Sequence, residues 1–502
     1  MSRSSAFNYL HPSGVKPGAR HGRPALSTQQ GGAVVVDRRL LQIWEAAQGK
    51  SPQEVVDIFP DLPEDQTRAA LACLAAGGLL ARDWQTGHKP TGPGEIQSSA
   101  AWGLVSAVVV SYNSRKWLEV LFPSLDSQTY PEIEVILVDN GSEDDSAAWA
   151  QENYPLARLI RFAKTVPFAQ ALNAGVEASR GEALLLLNPD LRLEPDFVAR
   201  ITDCARGENP AAAKLRLMWT PGFLNGAGNF VGGFSWGTDF ALGHLDLGQW
   251  DHLHEVPSAC FAAALIPRQV WEAVGPADPG FPMYYEDSEW SYRARLLGYR
   301  VLFARQAVAY HAFSGRAPGE PASPEESLSP QKLRRLVYGR LRFAFRLLSP
   351  AYFFRFTGLY ALEDLCRLAG AILRGRGTIA RAILGGWEDF FRDRSDLRQA
   401  RRALQQRRQA PDAEIFRLQR QAPANMMWHG LPVLTWDAVC CQYLPAIRSG
   451  TSLVPPELPE EFMIPGWVPG WLDRARSILA LEGKAGLLYK IWRGTQRRLM
   501  SV

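Results

Sequence analysis

Three short apolar runs, at residues 104–110, 135–138 and 183–187, each end abruptly in a polar cluster. Segments with helical spacing of apolar residues stand around and between them, at 116–127, 146–154 and 168–178. Strands that are apolar on both faces and alternate with helices predict an α/β fold, with a mostly parallel sheet covered on both sides. In such sheets ligands bind beyond the carboxyl ends of the strands. That rule selects Ser111, Tyr112 and Asn113 after the first run, Asp139 and Asn140 after the second, and Asn188 and Asp190 after the third. A further strand-like run, 301–309, leads to His311.

The flanking patterns differ. Residues 1–32 show no periodicity and predict a mobile tail. Residues 33–84 predict a small module of three helices and a strand, with Ser51, Pro52 and Glu54 forming a capping box at the second helix. The third helix runs over 64–76 and ends at Gly77 and Gly78. This order resembles a winged-helix fold, including the small peptide-binding winged-helix domains found beside peptide-modifying enzymes. Its candidate recognition helix sets only Arg68 against Glu64 and Asp65, which would repel phosphates and argues against nucleic acid as a partner. Composition marks 85–102 as a linker, 103–322 as the α/β domain and 323–410 as a basic helical region. Residues 411–502, with Trp467, Trp471 and Trp492, predict a helical appendage without recognisable chemistry.

With 46% hydrophobic and 21% charged residues in 502, the chain is globular rather than disordered or fibrous. Its net charge of +4 is too small to imply nucleic acid. The charge is uneven, since residues 331–408 hold 18 basic and six acidic side chains, about +12 in that stretch. There Phe343, Phe345, Phe353 and Phe354 alternate with Arg342, Arg346 and Arg355, a pattern that fits helices packed on the α/β domain, helices at a bilayer surface, or both. Six scattered cysteines make no disulfide framework, and neither a signal-like apolar stretch nor an uncharged 18-residue apolar run is present. These features predict a cytoplasmic protein with peripheral contact to the inner face of the membrane.

Asp139 and Asp190 are the carboxylates that a nucleotide base or a metal-bridged diphosphate would need, and a hard divalent cation is usually held by one or two such groups. Either could instead cap a following helix. Glu286 and Asp287 fall between a Gly/Pro-rich loop at 275–282 and a predicted helix from Ser288, where Asp287 could serve as a base or merely as a cap.

Five blocks together resemble glycosyltransferase family 2, inverting enzymes of the GT-A fold. They are Val108 to Asn113, Val135 to Asp144, Phe168 to Gly175, Leu184 to Asp190 and Tyr284 to Trp290, and they look most like the rhamnosyltransferase-type branch. The resemblance implies a nucleotide-diphosphate sugar donor, with Ser111, Tyr112 and Asn113 at the nucleoside, Asp139 at the base and Asn140 near the ribose. It places Asn173 near the donor phosphate or sugar and Asn188 beside the diphosphate. Asp190 would bind Mg or Mn, with His311 as a second metal ligand or a structural histidine. Asp287, with Glu286 beside it, would be the catalytic base. Two departures bear on which donor is used: Thr165, Val166 and Pro167 replace a usual Asn-x-Gly motif in the loop over the donor, and in the acceptor-side segment Ser258, Ala259 and Cys260 stand where a glycine is common. The expected acceptor is a hydroxyl of a lipid-linked glycan in bacterial surface polysaccharide synthesis. The alternatives are a peptide or protein acceptor recruited by the N-terminal module, or an inactive transferase-like scaffold.

Overall fold

The computed structural model describes residues 7–84, 103–205, 208–231, 237–281, 284–313, 329–419, 422–423 and 425–448. The 85–102 linker and the three C-terminal tryptophans lie outside them.

The chain begins with strands β1 (Phe7–Leu10), β2 (Pro17–Arg20), β3 (Arg23–Ser27) and β4 (Ala33–Val36). The mobile tail expected over 1–32 is therefore corrected wherever it is described. The signal was weak because β2 is wholly exposed and β3 buries only Ala25 and Leu26. What joins them is a two-residue turn with His21 at φ 48° and Gly22 at φ 76°, the left-handed pair that matches hairpin twist.

Helices α1 (Arg38–Ala46), α2 (Pro52–Ile58) and α3 (Glu64–Ala76) and strand β5 (Ala81–Trp84) follow in the expected order. Asp37 caps α1 by accepting from the Leu40 amide at 2.9 Å, and the Ser51–Glu54 capping box forms at α2. The core of this module, around Leu40, Trp44, Leu71 and Leu74, is completed by Phe223 and Leu245 of the next domain and by Leu434 and Tyr443 from near the end of the described chain.

The central sheet is built from β6 (Val105–Ser111), β7 (Ile133–Asp139), β8 (Arg158–Arg161), β9 (Ala183–Leu187), β10 (Leu191–Leu193), β11 (Ala211–Leu217), β12 (Thr220–Ala227), β15 (Ala263–Pro267) and β16 (Leu302–His311). A small separate pair, β13 (Asn229–Val231) and β14 (Gly237–Asp239), lies beside it. The path runs β10-β16-β11-β15-β9-β6-β7-β8, with β12 on β11. Strands β9, β6, β7 and β8 are parallel, as the apolar runs predict. Beyond β9 the sheet is mixed, because β15 enters antiparallel to both β9 and β11 while β11 and β16 are parallel. Direction was not readable there, since a strand buried on both faces reads the same either way.

Helices α4 (Arg115–Asp126), α5 (Ser146–Asn153), α6 (Phe168–Ala178), α7 (Phe197–Cys204), α8 (Arg268–Val274) and α9 (Glu286–Leu296) complete this domain. Val108, Ile136 and Leu184 face one core and Ala107, Leu137 and Leu185 the other. Helix α6 sits so close to the sheet that a Cβ on Gly175 would stand 2.5 Å from Val108.

Three long helices follow: Pro330–Leu347, Pro350–Leu373 and Gly377–Gln406. Their aromatic content is largely internal, with Phe343, Phe356 and Tyr360 in the core of the catalytic domain and Phe345 and Phe353 partly buried against it. The remaining described chain is not purely helical. After a helix at Asp412–Gln419, strands β17 (Met427–Trp428) and β18 (Leu431–Leu434) extend the N-terminal sheet, Val433 and Leu434 pairing in parallel with Val35 and Val36. No described helix is long and apolar enough to cross a membrane.

Candidate functional site

The parallel strands deliver their polar ends to one rim. Ser111 is wholly buried, Tyr112 is exposed, and Asn113 turns back at φ 48°. The Asn113 carboxamide oxygen accepts from the Glu143 amide at 2.8 Å, fastening the end of β6 to the loop after β7. Asp139 is also wholly buried; its Oδ1 accepts from the Ser142 amide at 3.1 Å, and Arg161 approaches its Oδ2 at 3.2 Å. The Ser111 hydroxyl, at the strand end next to Asp139, makes no hydrogen bond. A buried hydroxyl without a partner, beside a carboxylate oxygen that has only the Arg161 ion pair, is what a hydrogen-bonding base would satisfy.

Asn140 and Asn173 each hold a main-chain loop at the rim. Asn140 pairs with both the amide and the carbonyl of Val166, at 3.0 and 2.9 Å. Asn173 does the same with Ala277, at 3.0 and 2.9 Å. A carboxamide has two N–H donors and two lone pairs, so these bonds do not exhaust either side chain. Asn188 is partly exposed at the end of β9.

Asp190 precedes β10, which pairs antiparallel with β16 so that Leu191 lies opposite His311. This register brings Asp190 Oδ1 to 3.1 Å from His311 Nε2. No helix follows Asp190 directly, and Asp139 closes a turn, so neither caps a helix. Burial disfavours the charged imidazole, but the Asp190 carboxylate outweighs it and, with Asp239, holds the His311 pKa above its ordinary value.

Asp287 lies in the first turn of α9, whose N-cap is Tyr285, so the capping reading of Asp287 does not hold. Tyr284 and Tyr285 are both left-handed, at φ 69° and 70°, a strained approach for non-glycine residues. The Tyr285 ring is buried against Gly339 of the first long helix, where a Cβ would stand 2.6 Å from it. Burial raises the Asp287 pKa, while hydrogen bonds from the Ser288 amide (2.6 Å), Asn229 Nδ2 (2.5 Å) and the Phe261 main chain hold it down. Glu286 lacks such support at Oε2, and burial together with the Asp287 charge pushes it up to about 8. Of the two carboxyls, Asp287 therefore has the donors that favour a charged form, and Glu286 Oε2 has none.

What links the two halves was not found in the sequence. Asn225 and Asn229 flank Gly226, Ala227 and Gly228 at the end of β12. The Asn225 Oδ1 meets His311 Nδ1 at 2.5 Å, and its Nδ2 donates to Asp239 at 3.0 Å. Four residues on, Asn229 donates to Asp287 while its Oδ1 accepts from the Ser288 hydroxyl at 3.1 Å and from Ser258. Asp239 lies between them, pushed to about 7 by burial and by Asp287, with His311 and Asn225 pulling the other way. The only textual sign is an Asn-Gly-Ala-Gly-Asn palindrome. Gly228 at φ 79° is required there, since a Cβ would stand 2.4 Å from the Ser258 carbonyl.

Among the described residues no cluster of three or more His, Cys, Asp or Glu could hold a metal alone. Asp190 and His311 supply two donors, which fits an Mg²⁺ or Mn²⁺ ion that takes its other ligands from phosphate and water.

Residues 106–222 match the family model described as Glycosyl transferase family 2, so the chain carries a domain of that family. The match spans β6 through the start of β12 and stops short of Asp287 and His311. The uncharacterized protein y4gI of Sinorhizobium fredii is 28% identical over 256 residues, 47% of this chain and 28% of that protein. The O-antigen biosynthesis protein RfbC of Myxococcus xanthus is 27% identical over 260 residues, 49% of this chain and 20% of that protein. The chain thus spans between a fifth and about a quarter of the length of these relatives. Among solved structures, the mannosyltransferase PcManGT of Pyrobaculum calidifontis, in complex with GDP-Man and Mn²⁺, aligns with a TM-score of 0.38 at 16% identity, over 60% of this chain and 91% of that one.

Proposed function

We propose that this protein is an inverting glycosyltransferase that moves a sugar, rhamnose or another hexose, from a nucleotide-diphosphate donor to a hydroxyl acceptor. One observation carries the reading: a single hydrogen-bonded segment, 225–229, holds Asp287 on one side and the Asp190–His311 pair on the other. Direct displacement at the anomeric carbon needs a base for the acceptor proton and a site for the departing diphosphate. Asp287 takes the proton as the acceptor oxygen attacks. Asp190 and His311 would hold a divalent ion, which would supply charge neutralisation to the leaving group. Ser111 and Asp139 receive the base of the nucleotide, with Tyr112 and Asn113 at the nucleoside and Asn188 near the diphosphate.

The acceptor belongs to a glycan of surface polysaccharide, a reading favoured by the name of the O-antigen biosynthesis relative. A peptide-borne acceptor is the second reading, favoured by the N-terminal module sharing its core with the catalytic domain through Phe223 and Leu245. Retention of both Asp190 and Asp287 disfavours an inactive scaffold.

Thermal shift with nucleoside diphosphates and nucleotide sugars tests the donor site, because a ligand at a hundred times its Kd stabilises by about 2.7 kcal/mol. The expected outcome is an upward shift with one nucleotide in Mn²⁺, abolished by chelator and by Asp190→Ala. A panel without any shift would remove the donor site from the proposal.

Asn229→Ala tests the base more finely. Losing a hydrogen bond to the charged form raises the Asp287 pKa further, so the acid limb of kcat/KM against pH should move to higher pH. An unmoved limb would show that Asn229 does not tune the base.

A further inference from the structure

We propose that the outer face of the second long helix, Pro350–Leu373, docks on the surface of a membrane that bears anionic headgroups. The helix is turned inside out. Its two carboxylates, Glu363 and Asp364, are buried and paired with Arg340, which is itself wholly buried. Facing solvent instead are Phe354, Leu362, Leu365 and Ile372, exposed by 72, 51, 63 and 63%. Their spacing places them in one stripe, with Gly358 among them opening onto empty space. From Phe354 to Leu373 the stripe is about 29 Å long. Of eleven exposed large hydrophobics among the described residues, seven lie on this helix and the next, Leu384 and Phe391 being on the latter.

Charge decides what covers this face. From residue 350 to 387 Glu363 and Asp364 are the only acids, both turned inward, while the same stretch holds five arginines. Arg374, Arg376 and Arg381 are exposed at and just beyond the helix end. An apolar stripe rimmed by arginine without an exposed carboxylate is the composition of a helix lying in a bilayer interface. A second copy of the chain on the same face would set these arginines against their own kind. The helix lies on the bilayer and does not span it, as no described helix is long and apolar enough to cross. This inference rests on the helix surface and not on the transferase reading, so either can fail without the other.

The test is sedimentation of the full chain with vesicles of phosphatidylcholine, alone and mixed with phosphatidylglycerol. Binding to the mixed vesicles is expected, weakening with salt. Leu365→Glu/Ile372→Glu should abolish it, and Arg374→Gln/Arg376→Gln should weaken it about 30-fold. Both variants alter exposed side chains and should keep the wild-type melting temperature. The proposal is overturned if the full chain stays in the supernatant, or if folded variants of both kinds sediment like wild type. It is equally overturned if light scattering shows a dimer that Leu365→Glu dissociates, which would assign the face to a second copy.

Discussion

Asp287→Asn is expected to lower turnover by about 10²–10⁴-fold while donor affinity stays within a few-fold of wild type. The substitution keeps the shape and an acceptor for the Ser288 amide, and it removes the charge that collects the acceptor proton together with the hydrogen bond from Asn229 Nδ2, which would then face the new NH2 group. Asn229 stays anchored by Ser258 and Ser288, so the change is confined to this contact. Glu286→Gln should be milder, because a carboxyl already pushed to about 8 is mostly neutral at pH 7. In the wild type the raised Asp287 pKa places the acid limb above the ordinary carboxylate range, with activity lost as pH falls through it. Steady-state kinetics with a nucleotide-sugar donor, beside donor binding by calorimetry, separate the two effects. Unchanged turnover in Asp287→Asn would remove this residue from the chemistry.

The largest stability effect is expected at Arg340. Its guanidinium is wholly buried, 2.8 Å from Glu363 and in contact with Asp364, which also accepts from the Trp387 indole at 2.7 Å. Arg340→Met would leave Asp364 buried without a counter-charge and Glu363 with only the partly exposed Arg367, at 2.8 Å, at a cost of about 3–5 kcal/mol. Replacing Glu363 and Asp364 with leucine in the same chain should recover much of that loss, since an apolar set of similar volume is often as stable as a buried ion triad. Denaturant titration of the single and triple variants reads both numbers. A loss under about 1 kcal/mol in the single variant would mean that water reaches the carboxylates.

The parts of this structure that were legible share a physical reason. Asp139, Asp190 and Asp287 stand out in the sequence because a polar residue directly after a buried run or beside a Gly/Pro loop has few explanations. Ser51 and Glu54 were found because a capping box is local. Asn225, Asn229 and Asp239 were missed because their partners stand 14 to 86 residues away and β12 to β14 carry no clean apolar period. The main-chain partners of Asn140 and Asn173 stand 26 and 104 residues away, so local sequence pattern does not reveal them either. The strands of residues 7–27 escaped because two of them bury little, and a hairpin carried by His21 and Gly22 has a weak textual mark.

The pairing of β18 with β4, with the Trp436 amide on Asp37 across 399 residues, also sets an order of events during synthesis. At about 5–20 residues per second, the ribosome needs roughly 20–80 s to deliver the second strand after the first has emerged. Through that interval β4, all four of whose residues are buried in the finished protein, offers an unpaired edge to any nascent neighbour. The module that contains β4 is thus completed only when β18 arrives, and it is where a nascent-chain chaperone would be expected to act.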